Sequence, residues 1–233
     1  MASRPIFSPS ISGDSLVRTD FIEFKWFPGM AESQKQKSIQ SLHKSARDQA
    51  NIKNCLEISS KSEDAVGKKL SAFNLTYTND SNFSFSVECL YQSCKVFDQG
   101  GPYRDLLHKS SLDAKRDPRL KNSGNLKHFL SQNGTQWALE PKTAFYDWTY
   151  INILAKNRDL HETIMMYDCF TDIEFNPKKS INCQAYSVAL FSSLSRRKLL
   201  DDALKSPDDF LNLVGQYVVV NASEDQMINP RLI

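Results

Sequence analysis

The hydrophobic period changes at Pro28-Gly29, and that change limits the class of fold. From Phe21 to Phe27 the residues alternate, with Phe21, Glu23 and Lys25 on one face and Ile22, Phe24 and Trp26 on the other, which is the two-residue repeat of a strand. Pro28-Gly29 ends it. From Ala31 to about Gln49 the apolar residues Ile39, Leu42 and Ala46 recur at helical spacing on a polar background. Its basic side chains are interrupted by acids and form a solvated face. Cys55 to Ile58 and Leu70 to Thr78 read as further short strands, and Asn79-Asp80 as a turn. The remainder reads as helices. Ser86 caps one to about Phe97, with Glu88 in its first turn and Gly100-Gly101-Pro102 as its stop. Leu126, Phe129 and Leu130 mark a short helix closed by Asn133-Gly134. Pro141 opens a segment carrying Phe145, Trp148, Ile151 and Leu154. Asp159 with Glu162 has capping-box spacing, and a long helix covers roughly 182 to 204. Ser206-Pro207-Asp208-Asp209 starts a helix that stops at Gly215, before a strand-like Tyr217 to Val220. The expectation is a mainly helical α+β domain, with a small sheet contributed mostly by the N-terminal third.

Composition removes several classes of function. The 29 basic and 27 acidic residues leave a net charge of +2, too little for a broad duplex-coating surface. With 8 glycines and neither G-x-G-x-x-G nor G-x-x-x-x-G-K-[ST], the common nucleotide cradles are absent. No apolar run approaches the ~18 residues of a membrane span, and Met1 to Ser10 lacks the regions of a signal peptide. A soluble cytoplasmic protein is expected, without membrane contact. The five cysteines contain no C-x-x-C pair, and the four histidines lie far apart. Buried reduced thiols are therefore expected, with no metal site.

Three stretches carry candidate chemistry. Val87, Leu90, Tyr91, Cys94 and Phe97 recur on one side of the expected helix, while Glu88, Gln92 and Lys95 form a polar stripe at i, i+4 and i+7. A solvated face is the ordinary explanation of such a stripe. The polar connection from Tyr167 to Asn182 contains Asp168 and Asp172, which suit either turn capping or function. Trp137, beside Asn133-Gly134, suits base stacking or core filling equally.

Leu70-Ser71-Ala72-Phe73-Asn74, then Ser86 to Phe97 with Glu88, Gln92 and Lys95, then Trp137 with Lys142, resemble the successive motifs of the NADAR (YbiA-like) family. With Gly100-Gly101-Pro102-Tyr103, Asp117-Pro118-Arg119-Leu120, Glu140 to Trp148 and Glu174 to Ala185, the chain most resembles the NADAR antitoxins associated with DarT ADP-ribosyltransferase toxins. The resemblance implies a single NADAR-type domain over 1–233. Its core motifs lie at about 70–204, after an N-terminal strand and helix extension at 1–69 and before a C-terminal helix and tail at 205–233. Three departures stand out. Ala72 and Cys89 occupy places where the family often has Asn and His, and Phe175-Asn176-Pro177 replaces a segment with Trp and several glycines.

What the resemblance implies is an ADP-ribosyl glycohydrolase acting on guanine in DNA or RNA. It would release ADP-ribose, reverse a DarT-type toxin and need no cofactor. The alternatives are an N-glycosidase on phosphorylated riboflavin-pathway intermediates, as in YbiA-type relatives, a non-catalytic ADP-ribose-binding module, and direct neutralisation of the toxin by binding. By resemblance Lys95 is the amine nucleophile, Glu88 the proton carrier, and Asp172 the residue that orients the ribose or stabilises its cation. Ser71, Phe73, Gln92, Gly101, Tyr103, Trp137 and Asn182 are implied to bind substrate.

Overall fold

The computed structural model describes residues 1–220 and 227–228. In chain order, the first stretch contains β1 (Ala2–Pro9), β2 (Val17–Phe24), α1 (Glu32–Ala50), β3 (Cys55–Glu57) and α2 (Ala65–Lys69). Next come β4 (Thr76–Thr78), β5 (Ser84–Ser86), α3 (Val87–Ser93), β6 (Lys95–Phe97), a 3-10 turn (Arg104–His108), α4 (Ser111–Arg116) and α5 (Arg119–Asn122). They are followed by β7 (Leu126–Leu130), β8 (Gln136–Trp137), α6 (Ala144–Lys156), a 3-10 turn (Arg158–Leu160) and α7 (His161–Ile164). The last elements are β9 (Cys169–Thr171), α8 (Gln184–Arg196), α9 (Leu200–Ala203), α10 (Pro207–Val214), β10 (Val219–Val220) and β11 (Met227–Ile228). The class is α+β. The chain divides into two compact units, Met1–Leu70 with Asp159–Ile233, and Ser71–Arg158.

The first unit is organised by a four-stranded sheet in the order β2-β1-β9-β3. β1 runs antiparallel to β2 along its whole length and to β9 at Phe7, while β9 runs parallel to β3 with Thr171 opposite Glu57. Ile22 and Phe24 turn inward and Phe21 outward, as the alternation requires. Ile39, Leu42 and Ala46 of α1 pack with them, together with Ile6, Ile52, Cys169 and Ile173. β1 has no strand signal because Pro5 interrupts it. The structure tolerates that proline where β9 does not yet flank β1. α8 does not run to Leu204 as expected. It ends at Arg196, and Lys198 adopts the left-handed conformation with φ of 59°. Ser206 caps α10 by accepting from the Asp209 N–H, and Gly215 ends it, both as read from sequence. The strand-like Tyr217 to Val220 is a strand only at β10, and its continuation toward the C-terminus lies largely outside the described residues. The capping box at Asp159 and Glu162 is not formed. Leu160 precedes α7 without a side-chain cap, and the Asp159 carboxylate pairs instead with Lys69 Nζ at 2.6 Å.

The second unit departs most from the helical expectation. Leu70 to Thr78 is not one strand, since Leu70 ends α2 and the next residues turn before the short β4. Leu126 to Leu130 is a strand, the centre of a three-stranded sheet in the order β6-β7-β8. Sheet structure is therefore not confined to the N-terminal third. Asn133-Gly134 closes the β7-β8 hairpin rather than a helix, with Gly134 at φ of 88° and Ser131 N–H donating to the Thr135 carbonyl at 2.9 Å. α6 buries Phe145, Ile151 and Leu154, as its spacing predicts. Among the described residues no helix is long and apolar enough to cross a membrane.

One side chain ties the turn after β1 to the end of α8. Arg197 donates to the carbonyls of Ser10 (2.8 Å), Ser12 (2.7 Å), Gly13 (3.2 Å) and Ser15 (2.6 Å), and it lies 5.1 Å from the Tyr217 ring. Arg197→Ala is expected to lower unfolding free energy by about 2 kcal/mol, read as a lower denaturant midpoint at unchanged slope. Arg197→Lys should recover little, because an ammonium lacks the planar fork that spans these carbonyls.

Candidate active site

α3 starts where the sequence places it. Ser86 Oγ accepts from the Cys89 N–H at 3.1 Å, and Ser86 and Ser111 share a hydrogen bond at 2.8 Å. Ser111 Oγ donates to the Phe73 carbonyl at 2.8 Å, while the Glu88 N–H donates to the Ala72 carbonyl at 3.0 Å. These bonds lace the Ser71 to Leu75 turn to the first turn of α3. Ser71 is itself buried, and its carbonyl accepts from the Asn74 and Leu75 N–H groups at 2.8 Å.

The polar stripe is neither continuous nor solvated. α3 ends at Ser93 with Cys94 as its cap, so Lys95 belongs to β6 rather than to the helix carrying Glu88 and Gln92. The Cys94 carbonyl accepts from the Leu130 N–H of β7 at 2.8 Å. A sheet partner thus replaces the next helical turn. Glu88 and Gln92 are only 5% and 6% exposed, and Gln92 Nε2 donates to Glu88 Oε1 at 2.8 Å. Gln92 Oε1 is buried without a hydrogen-bond partner, an acceptor that a ligand can satisfy.

Lys95 Nζ lies 4.7 Å from the centre of the Tyr91 ring. Burial lowers its pKa from 10.5 to about 8, the Glu88 carboxylate opposes that shift, and Lys115 reinforces it. Lys115 stands over the Phe73 ring at 5.1 Å, so Phe73 reaches the lysine through it. Lys115 carries no motif, and the sequence analysis missed it. Gly101 explains itself by close approach. Its φ is +85°, and a Cβ there would collide with the Lys95 carbonyl oxygen. Tyr103 is held by Ser123, by the ring of Phe97 and by the Arg119 guanidinium 4.4 Å above it. Arg119 is in turn fixed by Asp105 and by the buried Asp117, whose carboxyl its guanidinium holds well below the usual range.

Trp137 is 3% exposed and stands opposite Phe129 in the hairpin. It meets Phe145 edge-on at 5.5 Å and Trp148 at 5.6 Å. Phe129 and Phe145 connect this aromatic cluster to Tyr91. The indole Nε1 is buried without a partner.

Asp172 and Asn182 belong to the other unit, in the connection between β9 and α8. Asp172 is buried, and its Oδ1 accepts from the Glu174 and Phe175 N–H groups at 3.0 and 3.2 Å. Burial, then the charge of Glu57, raises its carboxyl well above the usual range. Asn182 is half-buried, two residues before α8. Asp168 does not cap a local turn through this bond: its carboxylate accepts from the N–H of Asn54, far away in sequence, at 3.1 Å. Among the described residues no cluster of histidine, cysteine, aspartate or glutamate stands ready to hold a metal ion.

The family model of the DarT1-associated NADAR antitoxin matches residues 2–224. The chain belongs to the NADAR-DarT1 family. No curated protein matches it. The family match covers the N-terminal sheet and α1 as well as the Ser71 to Phe97 motifs, so both units of this NADAR antitoxin chain fall within one family pattern.

Two outcomes follow from the geometry. The reactivity of Lys95 toward an amine-acylating reagent should rise through a midpoint near 8, whereas an ordinary lysine rises near 10.5. Glu88→Gln should move the midpoint lower, because the charge favouring the ammonium is gone, and Lys115→Ala should move it higher. Peptide mapping of the label against pH checks both signs. Trp137→Ala should cost about 3 to 5 kcal/mol of stability. Trp137→Phe should keep the fold, so that its effect on substrate KM isolates any contact made by the indole N–H.

Proposed function

We propose that this NADAR chain is an ADP-ribosyl glycohydrolase, which removes ADP-ribose from guanine bases of nucleic acid in the cytoplasm and so reverses the modification made by a DarT1-type toxin. The observation that carries the reading is Lys95. Its amine is brought close to neutrality by burial against Tyr91, next to a buried acid that can take and return its proton. The amine makes no ion pair among the described residues.

The reaction has two halves. In the first, the neutral Nζ of Lys95 forms a bond to the anomeric carbon of the ribose as the carbon–nitrogen bond to guanine breaks. The bonding pair leaves with the base, which takes up a proton. A proton then passes from the lysine nitrogen to the ring oxygen, the ribose opens, and a Schiff base remains. In the second half, water adds to the same carbon, the bond to Nζ breaks, and the aldehyde closes to free ADP-ribose. Glu88 moves the protons between amine, ring oxygen and water. Gln92 holds Glu88 and offers Oε1 to the substrate, with Ser71, Phe73, Gly101, Tyr103 and Trp137 forming the surrounding contacts. Asp172 and Asn182 keep the ribose-directed roles that the family resemblance implies. No step uses a metal or a cofactor.

Mixing the purified protein with an oligonucleotide ADP-ribosylated on guanine separates this reading from a binding module and from direct neutralisation of the toxin. The three give release of ADP-ribose, binding without release, and neither. Phosphorylated riboflavin-pathway intermediates serve as the rival substrate. Borohydride added during turnover should reduce the Schiff base to a stable ADP-ribose adduct on Lys95. Lys95→Ala and Lys95→Arg should both lose adduct and release, since a guanidinium stays protonated. Full activity in either variant removes Lys95 from the mechanism.

A further inference from the structure

Cys55 opens β3 and Cys169 opens β9, and the parallel register of the two strands sets them directly opposite each other. Their sulfurs lie 3.1 Å apart, with the Cys169 thiol donating to Cys55 Sγ. The residues just before them hold this register. The Asn54 carbonyl accepts from the N–H groups of Asp168 and Cys169 at 2.9 and 3.2 Å, and the Asp168 carboxylate accepts from the Asn54 N–H at 3.1 Å. Neighbouring strands run about 4.8 Å apart, inside the roughly 4.4 to 6.8 Å between Cα atoms that a disulfide bridges. Closing the sulfur gap to a bond therefore needs side-chain rotation and no movement of the strands. Cys169 is fully buried in the core of the first unit, while Cys55, on the edge strand β3, packs against that core half-buried.

The other three cysteines lack this arrangement. Cys89 donates to the Lys109 carbonyl at 3.2 Å, Cys94 lies 3.4 Å from the Arg104 guanidinium, and Cys183 is buried, with its thiol pushed up by that burial. At Cys55 the direction reverses. The hydrogen bond from Cys169 lowers its thiol, burial opposes that, Arg47 of α1 lowers it further, and Asp168 opposes. We propose that Cys55 and Cys169 form a peroxide-responsive modification site, in which Cys55 is oxidised first and Cys169 resolves it to a disulfide that clamps β3 to β9. The proposal stands apart from the glycohydrolase reading. In the first step the Cys55 thiolate attacks one oxygen of hydrogen peroxide and the oxygen–oxygen bond breaks. Cys55 becomes a sulfenic acid, and the departing hydroxide takes up the proton that Cys55 gave away, forming water. In the second step the Cys169 sulfur attacks the Cys55 sulfur, the sulfur–oxygen bond breaks, and the hydroxyl leaves as a second water with the Cys169 proton. Two thiols are oxidised and one peroxide is reduced. Two molecules of a small thiol reverse the clamp by exchange and end as a disulfide themselves. The loop so closed contains the whole of the unit from Ser71 to Arg158, and a long loop gains most from closure. β9 also leads straight into the connection that begins at Asp172, so the clamp fastens the root of that connection.

The test exposes the reduced full-length chain to hydrogen peroxide, alkylates the remaining thiols, digests without reductant and maps the peptides by mass spectrometry. The Cys55 and Cys169 peptides should appear joined, lighter than their sum by the two hydrogens lost, and dithiothreitol should separate them. Cys55 should lose its reactivity toward the alkylating reagent roughly tenfold faster than Cys94 or Cys183 does. The oxidised chain should melt higher than the reduced one by on the order of 5 °C. Cys169→Ser should stop at the sulfenic acid of Cys55, which a 1,3-diketone traps, and Cys55→Ser should give neither product nor a melting shift. Should either variant fail to fold, the joined peptides and the melting temperature of the wild-type chain decide by themselves. Thiols that stay open to alkylation after peroxide, Cys55 joined only to a cysteine of another molecule, or an oxidised chain that melts no higher than the reduced one overturns the proposal and leaves the pair as core packing. None of these readouts uses ADP-ribose release, so failure of the glycohydrolase reading leaves the test intact.

Discussion

The hydrogen bond from the Leu130 N–H to the Cys94 carbonyl decides where α3 stops, and the geometry around Lys95 depends on it. Continued helix would set Lys95 nearly two turns from Glu88, on a face that ordinary surface helices expose. The helix ends instead after one short run, and the chain enters β6 against β7. Lys95 then returns over the Tyr91 ring, while its carbonyl abuts Gly101. Burial of the amine, and with it the lowered pKa, is a consequence of this change of secondary structure. Glu88 and Gln92 remain on α3, one turn apart and bonded to each other.

A similar logic holds the acid of the other unit. β9 is short, but it is flanked by β1 on one side and β3 on the other, with opposite senses of pairing. The parallel register sets Glu57 opposite Thr171, and the loop that begins at Asp172 leaves the sheet at that level. The carboxylate of Glu57 closes the exit by taking the next free N–H, that of Ile173. His43 links the arrangement to α1, whose apolar stripe packs on the same sheet. Polar groups buried in this way are rigid because each donor has one acceptor.

Where the sequence was legible, the signal was local. Ser86 and Ser206 cap their helices, Gly215 ends one, and the stripe of Ile39, Leu42 and Ala46 faces the core. Each depends on a few neighbouring residues and the geometry of one helix. The failures share another cause. Leu126 to Leu130 has apolar residues compatible with either period, and its pairing with β6 lies some thirty residues away in sequence. Asn133-Gly134 serves a helix end or a hairpin equally well, and only the partner strand chooses between them. Of the candidate site, the identities of Glu88, Gln92 and Lys95 were readable from a family pattern. Lys115 was not, because it reaches the site through a tertiary neighbour, the ring of Phe73, and lies in no motif.

The sequence by itself determined the class of the protein, its family and the residue types able to do chemistry, because these follow from order, spacing and composition along the chain. Tertiary structure alone decided which of those groups lost water and which charges came to face one another. A lysine is an ordinary cation until the fold buries it against a tyrosine, and a glutamate meets a threonine far away in sequence only when parallel strands set them opposite each other. The physical reason is that desolvation and Coulomb interaction depend on distance through space, which the order of residues does not record.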